Sequence, residues 1–259
     1  ATSQWNAGQP GDALKTLAQV LALPIGEASA ILLADGHTLA GRIYQSMGEE
    51  GEAEAAWRRG LECLAQFPDG TRKARLHGLL GEIDAMSQVM RETQHDDPWT
   101  FVELKVQASL LEAQLSAQDG ETTEARNSVD QALLGLNQAA QKRPKNLPIA
   151  VRLQKIEALR YRAELVHRTA QWPHELRFVK QNLVAALSEL ETIRSLDANN
   201  TRWLLVGAEI HWQIGNSHRD LDVDLRDALD HYAIAERILE DDLGGTNLVS
   251  GKRAGFALK

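Results

Sequence analysis

Residues 41–60 read GRIYQSMGEEGEAEAAWRRG, and the spacing inside this stretch decides the architecture. Gly41, Tyr44, Gly48, Ala53, Trp57 and Gly60 fall at relative offsets 0, 3, 7, 12, 16 and 19. Steps of three and four residues keep side chains on one helix face, so the stretch holds two amphipathic helical segments. Gly48, followed by Glu49 and Glu50, supplies a tight turn between them, and helices joined that closely lie antiparallel. The small residues let the two backbones approach, and Tyr44 and Trp57 fill the space that remains.

Outward from this hairpin the chain continues as helices separated by breakers. Apolar periodicity predicts helices over about 12–23, 29–47, a third opening just past Gly48, then 71–91, 98–118, 122–141, 147–169, 173–195, 200–214 and 221–241. Between them stand turn signals such as Pro68-Asp69-Gly70, Asp119-Gly120, Trp172-Pro173 and Gly215-Asn216-Ser217. The reading is about ten helices, with Gly78 and Gly81 as candidate dividers of the 71–91 segment, whose partner the sequence does not reveal.

The spacing of the first hairpin recurs. Ala113, Gly120, Ala125, Val129 and Ala132 stand at offsets 0, 7, 12, 16 and 19, with Ser116 in the aromatic position. A third match begins with Ala208, His211 and Gly215 at offsets 0, 3 and 7, and Ala228, Tyr232 and Ala235 complete it after about eight extra residues. Gly8, Ala13, Leu17 and Val20 read as the second half of a further unit, from which more protein is expected before Ala1. Recurrence of one helical hairpin is the mark of a repeat architecture.

This pattern of small and aromatic residues resembles the tetratricopeptide repeat family. The resemblance implies an all-α, right-handed superhelical solenoid of antiparallel helix pairs, a single domain over 1–242 with a weakly ordered tail over 243–259. It also implies that the first helix of each pair lines a concave face. The positions so implied are Asp35, Thr38, Arg42, Gln45 and Ser46 in the first match, and Gln107, Leu110, Gln114, Ala117 and Gln118 in the second. In the third they are Arg202, Leu205, Glu209, Trp212 and Gln213. Glutamine amides suit an extended peptide backbone, and Leu205 and Trp212 offer apolar anchorage. The basic and Asn residues with which this family clamps a chaperone carboxylate are not reproduced by Thr38, Arg42 and Arg202.

Composition fits the same picture. Ala and Leu fill 72 of 259 positions against 7 Pro, which favours helix. The formal charge is −8, yet residues 142–180 carry +7, leaving −15 for the rest. An acidic chain is a poor nucleic-acid binder, so the basic segment reads either as a solvated helix face whose charges answer acidic neighbours or as an electrostatic patch for an acidic partner. Its candidates are Arg152, Lys155, Arg160, Arg162 and Arg168. No run approaches the roughly 20 apolar residues of a membrane span, so no direct membrane insertion is expected.

A search for chemistry yields no site. Gly48-Glu49-Glu50-Gly51 puts acids where a phosphate loop needs amides and a base, and the 8 His include no HExxH. Asp220, Asp222 and Asp224 begin like a calcium loop, but Leu225 and His231 stand where Gly and Glu are needed. Cys63 reads as a structural thiol, most Trp as core, and His95, His174 and His218 as exposed turn residues. The expectation is therefore a non-enzyme without cofactor or metal that binds a protein or extended peptide. The resemblance implies the sensor or interaction region of a multidomain bacterial signalling protein, such as a Ser/Thr kinase or regulator. The alternative is a helical sensor holding a small-molecule or peptide signal near Trp203, Glu209 and Trp212. With one Cys the chain suits cytoplasm, the default location, and equally the periplasm if it is the outer part of a membrane-anchored sensor.

Overall fold

The computed structural model describes residues 1–22, 27–93, 98–142, 147–170, 172–197, 200, 202–221 and 225–242. Among the described residues there are twelve α-helices and no strand. They form two compact units. Ala1–Gln94 contains α1 (Thr2–Asn6), α2 (Pro10–Leu21), α3 (Glu27–Met47), α4 (Glu50–Cys63), α5 (Gly70–Leu79) and α6 (Ile83–Glu92). His95–Asp242 contains α7 (Pro98–Gln118), α8 (Thr122–Lys142), α9 (Ile149–Thr169), α10 (Pro173–Leu196), α11 (Arg202–Leu221) and α12 (Leu225–Arg237), the last running into a π-helical turn, Ile238–Asp242. Helices pack in adjacent pairs, α1 with α2 through α11 with α12. The count exceeds the expected ten because the short α1 precedes Gly8 and because 71–91 is two helices. The tail over 243–259 and the acidic stretch 222–224 lie outside the described residues.

One turn is used four times. Gly8, Gly48, Gly81 and Gly120 hold φ of 77°, 80°, 76° and 84°, a left-handed conformation that side chains with a Cβ resist. At each, the glycine N–H donates three residues back and the next N–H donates to the carbonyl four before the glycine, at 2.7–3.3 Å. This closes the preceding helix and satisfies its last carbonyls. The residue after the glycine then caps the next helix, its carbonyl accepting from Ala13, Ala53, Met86 or Ala125. Those four residues are at most 1% exposed, so the turn delivers one side chain straight into the seam. Seven residues before the glycine, Gly41, Ala74 and Ala113 are all buried and small. The α5–α6 pair therefore carries the same spacing as its neighbours, with His77 and Met90 standing where α3–α4 has rings.

Closeness within a pair is set by glycine beneath a ring. A Cβ on Gly41 would run into the Trp57 indole, whose Nε1 donates to the Thr38 carbonyl at 3.4 Å. At the other end of the chain a Cβ on Gly215 would come within 2.6 Å of the Tyr232 ring. Gly215 is thus not the turn that its neighbours Asn216 and Ser217 suggest; α11 runs through it to Leu221. The third match slides by seven residues, so that Gly215 answers Gly41 rather than Gly48. The apparent insertion is largely an extension of α11, and it carries His218 into the interior, 5% exposed.

In the first unit Leu76 of α5 joins Ala34, Ala53, Trp57 and Leu64 of the α3–α4 pair, while Trp5 and Ala13 pack with Ile43. In the second, one apolar cluster threads α7 to α11 through Leu110, Val129, Ile156, Leu183 and Ile210. Burial of apolar area of this kind, at about 25 cal/mol per Å², is what holds the pairs together within each unit.

Candidate functional site

On α3, Asp35, Thr38, Arg42 and Gln45 recur at helical spacing along one face. Asp35 is a strut: the Arg72 guanidinium of α5 forks onto it, Nε to Oδ1 at 2.8 Å and Nη2 to Oδ2 at 3.0 Å. Arg72 also reaches Asp69 through Nη1 at 2.6 Å, while Asp69 caps α5 by accepting the Arg72 amide. The hydrogen bond that Arg72 donates to Asp35 leads the effects that push the Arg72 pKa well up, so it remains charged throughout. Thr38 turns its hydroxyl onto the Ala34 carbonyl at 2.8 Å, and Arg42, Gln45 and Ser46 are exposed.

On α7, Leu110 is core, 5% exposed; Gln107 and Ala117 are half-buried, and Gln114 and Gln118 are exposed. On α11, Leu205 is buried at 8% exposure, Arg202 and Trp212 are half-buried, and Glu209 and Gln213 both turn onto Arg160. Trp203 is core, with its Nε1 donating to Asp197 at 3.2 Å. Two groups that the sequence presents separately, the α11 stripe and the basic segment, are thereby brought into contact.

The basic segment is occupied from within. Arg152 Nη1 and Lys155 Nζ each meet Glu189 of α10 at 2.7 Å. Burial pushes the Glu189 carboxyl up, but hydrogen bonds and charge from Lys155 and Arg152 outweigh it and hold the group below its ordinary range. Arg160 pairs with Glu209 of α11 at 2.8 Å, Arg162 with Asp130 of α8 at 2.8 Å, and Arg168 with Glu164 on its own helix at 2.5 Å. Three carboxylates from outside residues 142–180 so answer α9, and these pairs tie α9 to α8, α10 and α11.

A cavity of about 270 Å³ opens between α8, α9 and α10. Val166 and Phe178 form its apolar wall; Arg126, Asp130, Arg162, Glu175 and Asn182 supply its polar groups. Of these only Arg162 stood out in the sequence. Arg126 and Asp130 share a face of α8, four residues apart, a spacing too common on helices to mark a cavity.

No protein-family model matches the chain, and no curated protein matches it.

A second polar cluster joins α11 and α12. Nδ1 of His211 and Nδ1 of His231 are 2.9 Å apart, and the His231 ring stacks on buried His218 with centroids 5.9 Å apart. At that separation one nitrogen donates and the other accepts, which requires that at least one ring be neutral. Burial first, then the neighbouring imidazole, lowers both pKa values. For His211, Glu191 opposes and Arg237 adds to the shift; for His231, Lys180 adds while Asp227 and Asp230 oppose. Among the described residues no group of three or more His, Cys, Asp or Glu is arranged to hold a metal ion. Cys63 is half-buried, and burial, followed by Glu62, pushes its thiol pKa up, away from thiolate chemistry. No described helix is long and apolar enough to cross a membrane.

Proposed function

We propose that this chain is a non-catalytic scaffold of stacked helix pairs, built as a right-handed solenoid similar to tetratricopeptide repeats, whose first-helix face binds a protein or extended peptide. The observation that supports it is the turn shared by Gly8, Gly48, Gly81 and Gly120, which makes α1–α2, α3–α4, α5–α6 and α7–α8 versions of one hairpin. A repeated hairpin keeps its seam constant and leaves the exposed positions of its first helix free to vary, and such scaffolds use that face for recognition. Each unit carries its own part of the recognition, Arg42 and Gln45 on α3 in the first and Gln114 on α7 with Trp212 on α11 in the second; Leu110 and Leu205 act behind the latter as core. In the multidomain bacterial signalling setting that the resemblance implies, this face gathers the partner and another domain acts on it.

The test is capture from the native organism's lysate with the whole chain, beside Arg42→Glu, Trp212→Ala and the outer-face control Leu134→Ser, all checked for fold by circular dichroism. A central aromatic or arginine contact is worth about 2 kcal/mol or more, roughly 30-fold in affinity. A partner held by the parent and the control but lost from Arg42→Glu or Trp212→Ala is the expected outcome. A partner held equally by all four proteins contradicts the reading.

A further inference from the structure

We propose that the cavity between α8, α9 and α10 is a binding site for a small monocarboxylate bearing an apolar group, with Arg126 as the partner of its carboxylate. Arg126 differs from every cation of the neighbouring α9 patch. Arg152, Lys155, Arg160, Arg162 and Arg168 each meet a carboxylate, whereas Arg126, among the described residues, meets only the Thr169 hydroxyl through Nη2. That hydroxyl donates in turn to the Leu165 carbonyl at 2.7 Å, so the guanidinium is held from one side. Its Nε is buried and has no hydrogen-bond partner. A half-buried guanidinium without an anion is costly, and a carboxylate matches its planar fork.

The rest of the lining sets the class of anion. Asp130 is taken by Arg162 at 2.8 Å, and Asn182, 8% exposed, accepts from Arg162 at 3.4 Å while donating to the Phe178 carbonyl at 2.8 Å. These groups answer one another and build a fixed wall. Glu175 accepts the Trp172 amide at 3.1 Å and lines the cavity from α10. With Arg162 already answered by Asp130, one guanidinium is left to meet a ligand, and it matches a single negative charge better than a dianion such as a phosphate ester. Phe178, 55% exposed, and Val166 supply the surface for an apolar group. At about 270 Å³ the space sits just under the roughly 300 Å³ at which small-molecule pockets begin, which selects a free acid of small size over a folded partner. None of these residues belongs to the α3, α7 and α11 stripes, so this site stands or falls apart from the partner-binding face.

The test is calorimetric titration of the whole chain with isovalerate, phenylacetate and hydrocinnamate, beside phenylacetamide as the neutral match and phenyl phosphate as the dianion. The expected result is saturable binding of at least one acid, at least about tenfold tighter than amide or phosphate ester, lost in Arg126→Gln and kept in Arg168→Gln. Should Arg126→Gln fail to fold, Phe178→Glu, a change at an exposed ring, must abolish binding instead. No binding across the acids, equal binding of phenylacetamide, or binding that survives Arg126→Gln or Phe178→Glu overturns the proposal. So does an acetylated peptide ending in a Phe carboxylate that binds through Arg126 more tightly than any free acid, since the site would then receive a chain terminus.

Discussion

The α3–α4 and α11–α12 pairs close on the same steric device and differ in what surrounds it. Both set a helical glycine beneath a ring from the second helix, Gly41 under Trp57 and Gly215 under Tyr232. Around Trp57 the seam is apolar, with Ala34, Ala53 and Leu64, and the indole N–H finds a backbone carbonyl. Around Tyr232 the seam is polar: its hydroxyl donates to Asn216 at 2.7 Å, and His211, His231 and His218 lie side by side. The contrast teaches that the glycine-under-ring contact fixes spacing, while the neighbours decide what conditions the pair tolerates. An apolar seam is indifferent to pH; one built on a shared imidazole hydrogen bond is not.

The largest expected effect is from removal of the ring in the apolar pair. Trp57→Ala takes a side chain only 5% exposed out of the seam and is expected to cost about 3–5 kcal/mol in denaturant unfolding. Tyr232→Ala costs less, because its ring is half-buried. Equal losses would mean that the two pairs do not differ as described. Next come the glycines around the turn. Gly48→Ala forces a side chain to φ of 80° and is expected to cost about 1–2 kcal/mol. Gly51→Ala, three residues on, meets open space inside α4 and is expected to gain about 0.4–1 kcal/mol. A shared sign for these two would remove the left-handed turn from the account.

The gentlest perturbation is pH. His211 and His231 have folded pKa values below the ordinary 6.5, so the folded state favours their neutral forms. Their contribution is full above 6.5 and is lost as pH falls below it toward the depressed values, because the unfolded chain then binds more protons. Hydrogen-exchange protection in α11 and α12 should therefore weaken between neutral and mildly acid pH, and His231→Gln should flatten that dependence. In α3 only His37 is similarly depressed, by burial and then Arg59 with Glu62 opposing, so α3–α4 should respond less. A steeper acid response in α3–α4 would invert the comparison.

Much of the fold was legible because breakers bound helices well: the predicted 98–118 is α7 itself, and 122–141 and 173–195 miss by one residue each. What escaped had local causes. Five residues around Trp5 give too little periodicity to mark α1 as a helix. The α5–α6 hairpin keeps Ala74, Gly81 and Met86 in register, but His77 and Met90 hide it from a search for rings. Gly215-Asn216-Ser217 looks like a turn because a glycine needed for close approach and one needed for positive φ are the same letter. The partners of the basic segment escaped for a different reason. Its answering carboxylates, Asp130, Glu189 and Glu209, lie on three other helices, and only the packing of pairs reveals them. The cavity was invisible on the same ground, since Arg126 and Phe178 come from helices that meet only in the folded unit.

The most direct measurement is a pair of double-mutant cycles, Gly41→Ala with Trp57→Ala and Gly215→Ala with Tyr232→Ala, read by denaturant unfolding. In the parent each Gly→Ala change is expected to cost about 1–3 kcal/mol through the clash with the ring. Without the ring the same change should stabilise, by up to about 1 kcal/mol, because alanine is the better helix former. That reversal of sign at both ends of the chain is the predicted result. A Gly215→Ala cost that persists in the Tyr232→Ala background would contradict it, and with it the claim that α11–α12 closes as α3–α4 does.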